Sequence, residues 1–78
     1  MGDILIQDIR RIVSLQLGLK SIQDQSRIVE DLGAESADFA NIIAAVESKY
    51  HIQFKESEIA RIFTTTDLYD AILRHTQI

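Results

Sequence analysis

With 78 residues, no Cys and no Pro, the chain has room for one domain, and neither disulfides nor thiolate metal sites are open to it. A net charge of −4 argues against nucleic acid, whose recognition needs a basic footprint. No apolar run approaches the ~20 residues of a membrane span, and Met1-Gly2-Asp3 lacks the basic region of a secretory signal, so the expectation is a cytoplasmic protein without membrane insertion.

Aliphatic residues recur at helical spacing, which argues for an all-α domain. Met1-Gly2 would open a myristoylation signal only with Ser or Thr at position six, where Ile6 stands. Asp3 can cap a first helix from about Ile4 to Leu17, with Leu5, Ile9, Ile12 and Val13 on one face. Arg10 and Arg11 fall on the other side and read as ordinary solvated charges, and Gly18 is a plausible stop. Residues 18–35 then form a connection too long for a compact domain unless it packs or works. Leu19, Ile22, Ile28, Val29 and Leu32 can pin it, and Ser26 with Glu30 makes an imperfectly spaced capping box.

The clearest helix runs from about Ser36 to Tyr50, with Phe39, Ile42, Ile43, Val46 and Tyr50 on one stripe. Gly33 breaks the chain just upstream, and Ser36 or Glu35 can cap the first N–H groups, near the positive end of the helix dipole. The opposite stripe is small and weakly polar: Ala37, Ala40, Asn41, Ala44, Glu47 and Ser48. It reads either as helix-favouring filler or as a docking surface. A connector from His51 to Lys55 leads to one or two helical turns over Glu56–Phe63, with Ile59, Ile62 and Phe63 facing in. The threonine run Thr64-Thr65-Thr66 with Asp67 caps a last helix from about Thr66 to His75, which buries Leu68, Ala71 and Ile72.

Between residues 30 and 50 the acids Glu30, Asp31, Glu35, Asp38 and Glu47 face a single base, Lys49, and so account for the whole net charge. That potential favours partners with basic surfaces. Catalysis by Ser36 is disfavoured, because a serine nucleophile needs a histidine in reach. His51 lies fifteen residues on in the same helix, roughly 22 Å away, and nothing places His75 nearby. No carboxylate or histidine spacing points to a metal, and the five aromatics read as core.

Glu30-Asp31-Leu32-Gly33-Ala34-Glu35-Ser36 resembles the attachment motif of acyl carrier proteins, and the order of helices and loops extends the likeness over nearly the whole chain. The resemblance implies a small four-helix bundle with a long first loop and a short third helix, spanning residues 1–78 as one carrier domain. It implies a protein that does not catalyse, carrying 4′-phosphopantetheine on Ser36, loaded by a phosphopantetheinyl transferase and visited by acyl-transfer and synthase enzymes with basic docking surfaces. Glu35, Ala37, Asp38, Asn41 and Glu47 are the expected partner contacts, and Phe39, Val46, Ile59 and Ile62 the expected lining for an acyl chain. Glu35 stands where the family usually has Asp, and Ala37 where it has Leu; the weakened docking stripe points to a specialised carrier, and a monomer is expected. An aminoacyl or peptidyl carrier is a close variant. An unmodified helical interaction module, with Ser36 only a cap, is the alternative of another class.

Overall fold

A computed structural model describes residues 3–76, so the reading of Met1-Gly2 lies outside the described residues. Four helices follow one another: α1 (Ile6–Leu17), α2 (Ser36–Tyr50), α3 (Glu56–Ile59) and α4 (Thr65–Thr76). None of them is long and apolar enough to cross a membrane. The apolar stripes meet in one core. Ile9 and Val13 of α1, Ile42 and Val46 of α2, and Leu68, Ala71 and Ile72 of α4 are fully buried. Each Ile, Leu or Val so buried is worth about 1.5–3 kcal/mol, more than the surface ion pairs, at about 0–1 kcal/mol each.

The first helix starts two residues later than its sequence pattern predicts. Its N-cap is Leu5, in extended conformation, with no side-chain cap, and Asp3 lies beyond it. The preceding carbonyl, Ile4 O, instead accepts a hydrogen bond from the Tyr69 hydroxyl of α4 at 3.2 Å, and Leu5 lies largely exposed rather than in the core. Gly18 ends the helix as expected. At φ 68° it occupies the left-handed region that favours glycine, and the Leu19 N–H returns to Ser14 O at 2.9 Å.

The long loop is held at both edges. Ile28 is fully buried, and its N–H donates to Phe63 O at 2.7 Å. Leu19 and Val29, expected to pin the loop, are exposed instead: Ile28 and Val29 are consecutive, and the turn that buries the first presents the second to solvent. Asp31, rather than the Ser26–Glu30 pair, organises that turn, accepting from the Arg27 N–H at 2.8 Å. Nor is Arg10 an idle surface charge. Its guanidinium donates to both Asp24 carboxylate oxygens, at 2.6 and 2.9 Å. The Asp24 carbonyl in turn accepts from the Thr66 N–H and hydroxyl, so one loop residue joins α1 to α4.

The third helix is a single turn. Turn hydrogen bonds carry the chain on to Ile62, and it leaves the turn there so that Thr64 can bridge to Arg27, which stops the helix short of Phe63 and leaves Phe63 56% exposed rather than facing in. Asp67 accepts from the Phe63 and Thr64 N–H groups, while Thr64 Oγ1 accepts from the Asp67 N–H, so the last helix is capped from Thr64 and begins at Thr65. His75 Nε2 lies 2.7 Å from Glu58 Oε2, and the Phe54 ring meets the His75 ring edge-on at 5.1 Å. These contacts tie the short α3 to the end of α4. The Lys55 N–H, followed by His75, holds the Glu58 carboxyl below the usual carboxylate range.

Two outcomes follow. Thr65 is fully buried, and among the described residues its hydroxyl has no hydrogen-bond partner. Thr65→Val should therefore leave stability unchanged or raise it by about 1 kcal/mol, read by urea unfolding; a loss would show that the hydroxyl is satisfied. The Arg10 guanidinium holds the Asp24 carboxyl below its usual range. A depressed folded value means that this stabilisation is present at neutral pH and is lost as pH falls through that value. Asp24→Asn should thus be less stable than the parent near pH 7 in chemical denaturation, and the gap should narrow as pH falls below the ordinary aspartate range.

Candidate functional site

The loop delivers Ser36 by a sequence of local constraints. Gly33 sits at φ 77°, where a side chain would be strained although space is open around it. Ala34 is buried, and its N–H donates to Ile28 O at 3.1 Å. Nothing in the sequence marked Ala34 as an anchor; an isolated alanine in a loop carries no pattern. Glu35 then takes extended geometry as the N-cap, and its carbonyl accepts the first helical bond from the Phe39 N–H at 3.0 Å. Asp38 accepts from the Glu35 N–H at 3.1 Å, the returning half of a capping box. The capping residue is therefore Glu35. Ser36 is the first helical residue, and its side chain is exposed.

This arrangement leaves the Ser36 and Ala37 N–H groups at the open end of α2, where no carbonyl of the helix can accept from them. A phosphodiester on the Ser36 oxygen would meet these donors and the positive end of the dipole. The exposed hydroxyl, the free donors and Asp38 turned back onto the backbone all fit such a group.

Acidity around Ser36 is less uniform than the count over residues 30–50 implies. Arg27, just outside that window, folds back on it: its guanidinium lies 2.5 Å from Glu30 and 3.4 Å from Asp31. The Arg27 N–H, and then its guanidinium, keep the Asp31 carboxyl below the usual range. Glu35 and Asp38 are the acids left closest to the serine in sequence. Ala37, Ala40, Asn41, Ala44 and Ser48 are all exposed, so α2 presents one small, nearly neutral face. Glu47 differs from the rest of that row. It is half-buried, and its carboxylate accepts from the Phe54 N–H at 2.8 Å, fixing the connector after α2.

A cavity of about 300 Å³ opens between α2, the loop and the α3 segment. Phe39, Ile59 and Ile62 line it, with Val29 and Phe63 at exposed positions beside them. Phe39 is three residues past Ser36, about 4.5 Å along the helix axis. Val46, grouped with these three from the sequence, is fully buried in the closed core and does not line the cavity. Neither histidine serves the serine: His51 follows the far end of α2, and His75 is engaged by Glu58. Among the described residues no cluster of His, Cys, Asp or Glu could hold a metal ion.

Residues 7–72 match the phosphopantetheine attachment site family. The chain is similar to the acyl carrier protein of Wolinella succinogenes, 33% identical over 66 residues that cover 82% of this chain and 87% of the relative. The acyl carrier protein of Campylobacter concisus is 30% identical over 70 residues, 87% of this chain and 91% of the relative. That of Buchnera aphidicola is 32% identical over 69 residues, covering 86% and 88%. The chain belongs to the acyl carrier protein family, whose members are carriers rather than enzymes and whose cofactor is covalently attached 4′-phosphopantetheine.

The placement of Glu47 separates two roles that the sequence merges. Glu47→Ala should destabilise the fold by about 1–3 kcal/mol, because the Phe54 N–H loses its acceptor. Asn41→Ala, exposed on the same face, should change stability by less than about 0.5 kcal/mol. Chemical denaturation of both variants checks the difference.

Proposed function

We propose that Ser36 is the residue that carries 4′-phosphopantetheine and that this chain shuttles acyl intermediates between partner enzymes. The observation that carries the reading is the exposed Ser36 hydroxyl at the open N-terminus of α2, within Asp31-Leu32-Gly33-Ala34-Glu35-Ser36. When bound, the cofactor supplies a thiol on a flexible arm, and so brings thioester chemistry to a chain with no Cys. The chain's own residues do three things. The buried Ala34 and the left-handed Gly33 set where the serine emerges. The Ser36 and Ala37 N–H groups stabilise negative charge on the attached phosphate. The cavity at Phe39, Ile59 and Ile62 gives an apolar acyl chain a place out of water.

A phosphopantetheinyl transferase loads the arm, and acyl-transfer and synthase enzymes with basic surfaces receive the cargo, in fatty acid, lipid or polyketide-type synthesis in the cytoplasm. Glu35, Ala37, Asp38 and Asn41 form the recognition surface, with Glu47 contributing only through whatever its half-buried carboxylate leaves free. The small exposed face of α2, where larger apolar residues would grip a broad set of enzymes, supports a specialised carrier acting as a monomer.

Intact mass spectrometry after incubation with coenzyme A, magnesium and a broad-specificity transferase tests the assignment. The parent should gain one phosphopantetheinyl group and Ser36→Ala none. Because Glu35 is the cap, Ser36→Ala should stay folded, within about 0.5 kcal/mol of the parent. No gain with several transferases on folded parent protein would overturn the reading in favour of an unmodified interaction module.

A further inference from the structure

Away from residues 30–50 acids and bases balance along the chain, but they are not evenly placed. Arg10, Arg11 and Lys20, three of its eight basic residues, line one groove of about 350 Å³ between α1 and the start of the long loop, and no acid lines it. Arg10 is fixed by Asp24, which also holds the loop to α4, so the wall of the groove is set before anything binds. Among the described residues Arg11 and Lys20 form no ion pair. Ser14 and Ser21 add hydroxyls to the same lining.

Apolar surface adjoins this charge. Leu15 is 69% exposed, the highest value among the large hydrophobic side chains described. It follows Arg11 by four residues and so shares its side of α1. Leu19, also exposed, directly precedes Lys20. Single exposed leucines are ordinary; here Leu15 shares the Arg11 side of α1 and Leu19 is next to Lys20 in the chain, so apolar surface is available close to both cations. Its lining runs from Gln7 to Ser14, about 10 Å along α1. A single small anion fills only part of that length, whereas carboxylates one to two helical turns apart match it.

We propose that this surface docks an acidic amphipathic segment of another protein, pairing carboxylates with Arg11 and Lys20 and an apolar side chain with Leu15 and Leu19. A second copy of this chain fits less well, because most of the acids in its own acidic stretch, residues 30–50, already have partners within the fold. Glu30 and Asp31 are held by Arg27, Asp38 by the Glu35 N–H and Glu47 by the Phe54 N–H. The proposal is independent of the carrier role of Ser36.

The test is an amide-shift titration of the full isotope-labelled chain with a synthetic helical peptide bearing Glu at i, i+4 and i+7 and Leu between them. The expected result is shifts centred on Arg11, Ser14, Leu15, Lys20 and Ser21, absent with a peptide in which Lys replaces each Glu. Binding should weaken by about tenfold in the folded double variant Arg11→Glu/Lys20→Glu and fall as salt rises. Leu15→Ala should weaken it several-fold without changing the salt dependence. Four results would each overturn the proposal: no shifts at millimolar peptide, shifts centred elsewhere, inorganic phosphate alone reproducing the pattern at equal concentration, or the same residues shifting with protein concentration alone, which would make the occupant a second copy.

Discussion

Ile28 is the point at which the loop becomes part of the fold. Its side chain is fully buried among residues of all the long helices, its N–H is bound to Phe63 O, and its carbonyl accepts from the Ala34 N–H. A short chain buries only about 60–65% of its unfolded surface, so a single burial of about 1.5–3 kcal/mol is a large share of net stability. With Ile28 in the core, the segment after it must reverse through the turn capped by Asp31 and leave at Gly33, and Ser36 emerges at a determined place. The same contact stops α3 at one turn, because Phe63 and Thr64 are needed as extended backbone beside the loop.

The site inherits its character from that scaffold. Ser36 is not its own helix cap. With Glu35 at the N-cap and Asp38 bonded back to it, the serine oxygen is left unengaged and exposed beside free donors. A hydroxyl recruited as a cap would have to surrender a hydrogen bond before it could be modified. The neighbouring acids are likewise sorted by the fold. Arg27 offsets half of the charge of Glu30 and Asp31, Glu47 turns inward, and Glu35 and Asp38 remain closest to the serine to shape the field around it. Opposite in sign, the groove at Arg11 and Lys20 gives the molecule a basic side.

Much of the architecture was legible because it follows from local periodicity. The Ile42, Ile43 and Val46 stripe, the stop at Gly18, the cap around Thr64 and Asp67 and the bounds of α2 all depend on residues within a turn of one another. Readings failed where a distant partner intervened. Asp3 was displaced as a cap because Tyr69, 65 residues after Ile4, takes the Ile4 carbonyl and the chain remains extended to Leu5. Arg10 looked like a solvated charge because Asp24 lies fourteen residues away on a loop whose path no pattern records. Phe63 and Val29 have the chemistry of core residues, yet are turned out by the bridge that buries Ile28.

By itself the sequence determined the class, the number and order of the helices, and the motif ending at Ser36, since hydrophobic period, glycine stops and motif chemistry are written in neighbouring residues. The tertiary structure alone decided which polar groups are already committed. Asp24, Arg27, Glu47, Glu58 and Asp38 all find their partners within the fold, and what remains uncommitted, at Ser36, at the mouth of the cavity by Phe39, and at Arg11 and Lys20, is left over from that pairing. Hydrogen bonds and ion pairs act over about 3–4 Å in space, irrespective of separation along the chain. For that reason a list of candidate residues could be read from the sequence, while their availability could not.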